Sequence, residues 1–262
     1  MGQVIPEITA KEADFIASQK VFFVATAPLS SDHHISISPK SPGNSCIVLD
    51  RTTVAYADLT GSGAETAAHV LQNGRMTLLF CNLEKGAPKI LRLHGKAQLI
   101  MAEDVPVGLK EKFPKNVTES FGFRAVYKIN VTRISTSCGF SLPVMTFLNY
   151  RGTLEEYTRR EGIDGIFNYN TKKNSFSIDG LPSLALLRRD APKYVEPKAE
   201  DGFIFGNVVE KPWNLNALAE ARKMHSSNKG TIQIRIFNLW NLGSLIFVSG
   251  IVTGYFVLIH LT

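Results

Sequence analysis

A short glycine-rich turn is the part of this sequence whose residue types and spacing best suit chemistry. Thr60 is followed by Gly61, Ser62 and Gly63, and a helix-forming stretch begins at residue 64. Such a turn directs backbone amides and the positive end of a helix towards one place, which suits a phosphate or a carboxylate. The sequence therefore predicts an anion-binding turn at these residues.

A purely structural role for Ser62 stands beside that prediction. Ser62 and Glu65 have the S-x-x-E spacing of a capping box, in which the serine side chain satisfies a backbone amide and the glutamate reaches back. Serine is common at helix starts that bind no ligand. The Glu65 carboxylate would also repel an anion if it faced the site, so both interpretations of Ser62 remain open on the sequence alone.

The elements on either side of the turn are short and local. A predicted strand, residues 54–59, leads into the turn, and a predicted helix, residues 64–72, leaves it. The helix is followed by Asn73 and Gly74, a C-cap signal, because glycine adopts the left-handed conformation without steric cost. The turn is therefore expected to join a strand directly to a helix.

The strands around this unit predict a mainly β domain. About six short strands and one inserted helix are predicted in residues 21–101, with the strands at 21–27, 35–38, 47–49, 54–59, 76–81 and 90–101. This density of strands indicates an antiparallel barrel rather than a parallel, doubly wound sheet. A longer alternating strand, residues 124–135, would close the barrel.

Two of these strands carry basic side chains. In the strand 90–101, Arg92 belongs to a polar face that alternates with leucines, which predicts one buried face and one basic face. In the strand 35–38, Ile35 and Ile37 alternate with serines, which predicts a half-buried strand ended by Pro39. Lys40 lies just past that end.

Composition excludes several functional classes. The 262 residues carry 29 Lys and Arg against 23 Asp and Glu, a net charge of +6 that is scattered rather than striped, so nucleic acid is not expected as a partner. The three cysteines, Cys46, Cys81 and Cys138, have no metal-ligand spacing and are expected to be buried, reduced thiols in a cytosolic protein. No metal site is predicted.

Several motifs in one order and at tight spacing together resemble the pyridoxamine 5'-phosphate oxidase-like family of FMN-binding split barrels. The motifs are Tyr56-Ala-Asp-Leu-Thr-Gly-Ser-Gly63, Asn73-Gly-Arg75, Leu79-Phe-Cys81 and Ile90-Leu-Arg-Leu-His-Gly95, with His34-Ile-Ser-Ile-Ser-Pro-Lys40 before them and Ser137-Cys-Gly-Phe-Ser-Leu-Pro143 after them. The resemblance covers roughly residues 10–190 and is specific for the family rather than for a substrate.

The resemblance implies a mainly β (α+β) fold, an antiparallel Greek-key split β-barrel with flanking helices, and FMN as the cofactor. The FMN phosphate would be held by Lys40 and the turn from Thr60 to Gly63, with Arg92 or Arg75 as further candidates, while backbone groups of the Tyr56 strand edge the ring system. An exposed lysine is the alternative for Lys40. Barrels of this family are commonly homodimers with flavin in the interface.

The implied activity is hydride transfer to flavin from an undefined small-molecule substrate. No side-chain nucleophile or acid–base pair stands out, which agrees with a cofactor that itself accepts a hydride. The Trp- and Arg-containing C-terminal segment of genuine pyridoxamine phosphate oxidases is not recognised around Trp213 or Trp240. Two alternatives remain: a relative that binds a deazaflavin or haem, and a non-enzymatic, membrane-tethered binding or scaffold module.

The chain divides into three predicted parts: the barrel domain at 1–147, an extension at 148–235 that begins with a charged helix at 150–161, and a tail at 236–262. The tail has no charged residue apart from His260 if it is protonated, and residues 242–261 are mostly apolar over a length that matches a bilayer core. It is predicted to be a helical membrane anchor that leaves the barrel in the cytosol. A buried core helix is the alternative.

Overall fold

Eight antiparallel strands make one sheet in the computed structural model of the chain, which describes residues 2–188. The strands are β1 (Gln3–Ile5), β2 (Phe22–Thr26), β3 (Ser36–Lys40), β4 (Cys46–Asp50), β5 (Thr53–Leu59), β6 (Arg75–Cys81), β7 (Ile90–Met101) and β8 (Phe123–Ser137). Their order is β3-β2-β6-β7-β8-β5-β4, and β1 pairs with β8. The predicted mainly β, antiparallel barrel class is confirmed.

Helices flank this sheet and follow it. They are α1 (Ala10–Ser18), α2 (Glu65–Asn73), α3 (Val107–Lys110), α4 (Lys115–Thr118) and α5 (Thr153–Lys173), with 3₁₀ turns at Gly43–Ser45, Ala102–Asp104 and Leu184–Leu187. The predicted C-cap of α2 is confirmed, because Gly74 has a φ of 70° and its amide donates to the carbonyl of Val70 at 2.9 Å.

Strand β5 leads into the glycine turn and is buried on both faces. Tyr56 points into the main core and stacks on Tyr127, its partner across the sheet, with ring centroids 4.8 Å apart. Ala55 and Ala57 point the other way, into a smaller apolar cluster that includes residues of α4 and the loops around it. Burial on both sides fixes the end of β5 firmly, so the turn starts from a rigid position.

Strand β3 is oriented differently from its prediction. Ile35 and Ile37 are 77% and 67% exposed, so the prediction that they form the buried side of a half-buried strand is wrong. Lys40 is the last residue of β3 and pairs with the fully buried Phe22 of β2. Residues directly opposite each other share a sheet face, so this pairing turns Lys40 towards the interior and the isoleucines outwards.

The chain after the barrel packs back onto it. Helix α5 is longer than the predicted helix 150–161 and contains a kink at Gly162, whose φ is 65° and ψ −172°. After α5, residues 175–183 form a tight hairpin, here called the extension hairpin, closed by a bridge between Phe176 and Pro182. The buried leucines of the following 3₁₀ turn include Leu184 and Leu187, both in the main core.

No helix within residues 2–188 is both long enough and apolar enough to cross a bilayer. The predicted anchor at 236–262 lies outside the described residues and stays a prediction. The predicted domain boundaries also stay predictions.

The prediction that all three cysteines are buried is wrong. Cys46 is buried, but Cys81 is half-buried and Cys138 is exposed.

Candidate functional site

The turn from Thr60 to Gly63 lies between the end of β5 and the start of α2. The Thr60 amide donates to the carbonyl of Gly122 at 2.6 Å, and its hydroxyl donates to Oδ1 of Asn170. Thr60 is buried, and both its amide and its hydroxyl are bound within the protein. Ser62 and Gly63 are exposed.

The predicted capping box is not formed. Helix α2 begins at Glu65, and its N-cap is Ala64 without a side-chain cap hydrogen bond. Oε2 of Glu65 accepts from the Ala64 amide at 3.1 Å, and Oε1 accepts from the amide of Ile178 at 3.4 Å. Burial raises the pKa of Tyr169, and the nearby Ser62 side chain opposes that rise.

The two glycine carbonyls of the turn point into the protein. The guanidinium of Arg124 donates to the Gly61 carbonyl at 3.1 Å and to the Gly63 carbonyl at 3.2 Å. The carbonyl and the amide of one trans peptide unit point in opposite directions. Because the Gly61 carbonyl faces Arg124, the Ser62 amide of the same peptide unit must face away from it.

The outward side of the turn is open. No acceptor among residues 2–188 takes the amides of Gly61, Ser62 or Gly63. Among the residues that the structure describes, a Cβ added to Gly61 would meet nothing within 4 Å, and one added to Gly63 would meet only Glu65 Oε2, at 3.6 Å. Neither glycine has a left-handed φ, so the backbone and the packing of residues 2–188 give no reason for glycine at these positions.

A buried charge cluster lies behind the turn. Asp58, 1% exposed, accepts from Lys40 Nζ at 2.7 Å and from Arg124 Nε at 2.8 Å. Burial alone raises the pKa of the Asp58 carboxyl, but the charges and hydrogen bonds of Arg124 and Lys40 outweigh it and hold the pKa below its ordinary value. Two cations and one carboxylate leave a charge of +1 behind the turn.

The structure does not bring all the predicted site residues together. Arg92 is paired with Leu79, Leu79 with Phe23, and Phe23 with Pro39, so Arg92 shares a sheet face with Pro39. Lys40 follows Pro39 and points to the opposite face. Arg92 donates to Ser137 Oγ at 3.1 Å instead. One phosphate therefore cannot contact both Lys40 and Arg92 within this chain.

Arg75 and Tyr56 also lie away from the open side of the turn. Arg75 follows the C-cap of α2, a nine-residue helix about 13 Å long, and donates to the Pro28 carbonyl at 2.8 Å. Tyr56 is fully buried and is paired on both sides, with Cys46 and with Tyr127. The backbone of Tyr56 therefore belongs to the sheet. Of the predicted cofactor-binding residues, the structure brings together Lys40 and the four residues of the turn.

The residues that shape the turn from behind were missed by the sequence analysis. They are Asp58, Arg124, Asn170 and Asn174. Asp58 falls inside the motif that contains the turn, but no local pattern marks the other three. The burial of Arg124, which calls for a charged partner because arginine is seldom buried unpaired, is visible only in the structure.

The extension hairpin lies against the start of α2 and the loop before β3. Ser183 Oγ donates to the Ala64 carbonyl at 2.6 Å, and His34 Nδ1 lies 2.6 Å from Asp179 Oδ1. The His34 amide also donates to Asp179 Oδ2 at 2.9 Å. These contacts bring the hairpin to the edge of the turn, and the open side of the turn remains uncovered by residues 2–188.

Comparison with known proteins gives three kinds of match. A family model described as pyridoxamine 5'-phosphate oxidase matches residues 8–138. A pyridoxamine 5'-phosphate oxidase family protein of Aspergillus flavus, ustO, is 34% identical over 199 residues, which cover 70% of this chain and 78% of that protein. Among solved structures, HupZ of Group A Streptococcus is 26% identical with a TM-score of 0.38, covering 48% of this chain and 91% of HupZ. A FAD binding protein of Mycobacterium smegmatis is 14% identical with a TM-score of 0.35, and the match covers 50% of this chain and 96% of that protein.

Proposed function

Because the chain belongs to the pyridoxamine 5'-phosphate oxidase family, we propose that it binds FMN at the glycine turn and serves as a flavin-dependent oxidoreductase. When bound, FMN would accept a hydride from a small-molecule substrate. The proposal places the phosphate at the turn and assigns to the protein the tasks of binding and orientation.

One observation carries the placement of the phosphate. The Ser62 amide faces away from Arg124 and has no acceptor within residues 2–188, and the space over Gly61 is open to 4 Å. A phosphate carries close to two negative charges near neutral pH and is bound by backbone amides and hydroxyls. The residues present fit that group: amides of the turn and the Ser62 hydroxyl would donate to it.

The charges around the turn have opposite effects on such a ligand. Lys40 and Arg124 lie behind the turn and, after pairing with Asp58, leave a net positive charge that favours an anion. The Glu65 carboxylate accepts a hydrogen bond from the Ala64 amide at the start of α2, and its negative charge disfavours an anion there. In this proposal Lys40 acts through the local potential, with its ammonium held behind the turn by Asp58.

The proposal includes a homodimer. Among residues 2–188 nothing covers the outward-facing Ile35 and Ile37, and a second copy would bury this apolar surface along β3. Flavin in such an interface would bring side chains of one sheet face, including Arg92, within reach of a cofactor bound by the other copy.

The first test is the visible absorption spectrum of the purified full-length chain, with identification of whatever heat releases. We expect a two-band yellow flavin spectrum and released FMN. A colourless protein that does not bind added FMN would favour the scaffold alternative. A haem band or a released deazaflavin would retain the fold and replace the cofactor.

The site itself is tested by Gly61→Ala. The new Cβ would enter the open space, so we expect at least about tenfold weaker FMN binding in a fluorescence titration, about 1.4 kcal/mol. The free energy of unfolding should stay constant or rise by about 0.4–1 kcal/mol. Gly108→Ala, which also meets nothing within 4 Å, is the matched control on α3. Unchanged FMN affinity in Gly61→Ala would show that the phosphate lies elsewhere.

Removing the negative charge of Glu65 should strengthen FMN binding. In Glu65→Gln the side chain can still accept from the Ala64 amide but no longer repels an anion, so we expect FMN to bind about fivefold tighter, a change of about 1 kcal/mol. The gain should shrink in 1 M salt because screening weakens the repulsion. Glu84→Gln, on the loop between β6 and β7, is the control. Equal or weaker binding by Glu65→Gln would place the anion away from α2.

A further inference from the structure

Asn174, the residue directly after α5, is engaged through both ends of its amide. Its Nδ2 donates to the Gly61 carbonyl at 2.8 Å and to the Gly63 carbonyl at 3.3 Å. Its Oδ1 accepts from Arg124 at 2.9 Å. Asn174 is 0% exposed, and the orientation of its amide follows from its partners, since only the nitrogen can donate to carbonyls and only the oxygen can accept from a guanidinium.

Two donors therefore meet at each glycine carbonyl. Gly61 and Gly63 each accept one hydrogen bond from Arg124 and one from Asn174. Peptide units next to glycine rotate more freely than others, because no Cβ restricts them. Without these four hydrogen bonds the turn would sample conformers in which the Ser62 amide faces inwards, and ligand binding would then have to select one of several conformers.

We propose that Asn174 is a positioning residue for the anionic end of the ligand: by fixing the Gly61 and Gly63 carbonyls inwards, it holds the Ser62 amide in the outward, binding orientation. This inference rests on the proposed function, and it assigns to the extension a direct share in the site. Arg124 supplies the other half of the same clamp and is itself held in place by Asp58.

A positioning role for Asn174 and a general role in stability predict different effects on ligand binding. Within residues 2–188 the Asn174 side chain hydrogen-bonds only to the turn and to Arg124, so its loss should affect the ligand group that the turn binds and not the rest of the ligand. FMN and riboflavin share the ring system and the ribityl chain and differ in the phosphate. The ratio of their affinities therefore reports on the turn, whereas a general loss of folding would lower both affinities together.

The test measures dissociation constants for FMN and riboflavin with the full-length chain and with Asn174→Ala, Asn174→Asp and Asn174→Ser. We expect the preference for FMN over riboflavin to fall about tenfold in Asn174→Ala, with riboflavin affinity unchanged. Asn174→Asp keeps the volume and the Arg124 contact but has no donor for the carbonyls, so it should lose the preference as well. Asn174→Ser keeps one donor and should lie between Ala and the unmodified chain.

Asn168→Ala, an exposed asparagine on α5, is the matched control and should keep the full preference. A preference for FMN that persists in both Asn174→Asp and Asn174→Ala overturns the inference, and Asn174→Asp alone decides if the alanine variant does not fold. An unmodified chain that binds both flavins equally would instead refute the phosphate site of the proposed function. The two failures are therefore distinguishable.

Discussion

Replacing Asp58 by asparagine is expected to lower the free energy of unfolding by about 3–5 kcal/mol. Asp58 is 1% exposed and is the shared partner of Lys40 and Arg124, whose side chains are 18% and 7% exposed. Its neutralisation leaves two cations close together without their anion, and neither can reach bulk water easily. Urea unfolding at pH 7, followed by circular dichroism, measures the change.

The same carboxylate gives the stability a dependence on pH. The pKa of Asp58 in the folded chain is held below its ordinary value, and the pKa of an unfolded aspartate is about 3.9. Its contribution is therefore complete above the unfolded pKa and is lost as the pH falls through the lower, folded pKa. We expect the unmodified chain to lose stability below about pH 4, and Asp58→Asn to lose less over the same range.

Two further variants test the explanation for Asp58. Glu7→Gln breaks the exposed pair between Glu7 and Arg51 and should change the urea midpoint far less, because exposed pairs contribute up to about 1 kcal/mol. Adding Lys40→Met to Asp58→Asn removes one of the two orphaned cations and should recover part of the loss. If Asp58→Asn and Glu7→Gln had equal effects, the buried cluster would not be the source of stability described here.

Gly95→Ala is expected to lower the free energy of unfolding by about 3 kcal/mol or more. Gly95 lies where the pairing of β7 with β8 shifts register, between His94 and Gly95. A Cβ there would stand 2.2 Å from the carbonyl oxygen of Asn130 and 2.9 Å from its carbonyl carbon. Both are backbone atoms, so the clash is relieved only by moving a strand, which is the costly form of overpacking.

Gly108→Ala is the comparison for Gly95→Ala. It places the same methyl group where nothing lies within 4 Å, inside a helix, and alanine should stabilise that helix by about 0.5–1 kcal/mol. The two variants should therefore change the urea midpoint in opposite directions. A midpoint for Gly95→Ala within error of the unmodified chain would mean that β7 and β8 approach less closely at this bulge.

The parts of the fold that the sequence predicted well depend on local geometry. Gly74 ends α2 because a left-handed residue is needed directly after the helix, and that need is visible from neighbouring residues. The alternation along β3 was also visible, but alternation shows that two faces differ without showing which one is buried. The pairing of Lys40 with Phe22 decides this, and it brings together residues far apart in the chain.

The candidate site was predictable to the same limited extent. The turn and its helix are one continuous segment, so their spacing identified the open amides. Whether Lys40 and Arg92 lie together depends on the register of four strands, and that register places the two side chains on opposite faces of the sheet. Arg124 and Asn174 contact the turn from 63 and 113 residues away from Gly61, and no local pattern records such contacts.

The hydrogen bonds from the extension also imply an order of events in folding. The contacts of Asn170, Asn174 and Ser183 with the turn region span 110, 113 and 119 residues. Contacts of such range must overcome the entropy of closing a long loop, so they form after the local hairpins of the barrel. During synthesis the barrel strands leave the ribosome first, and the turn reaches its final geometry only when residue 183 has emerged. The geometry on which the proposed ligand site depends is therefore among the last features that a newly made chain acquires.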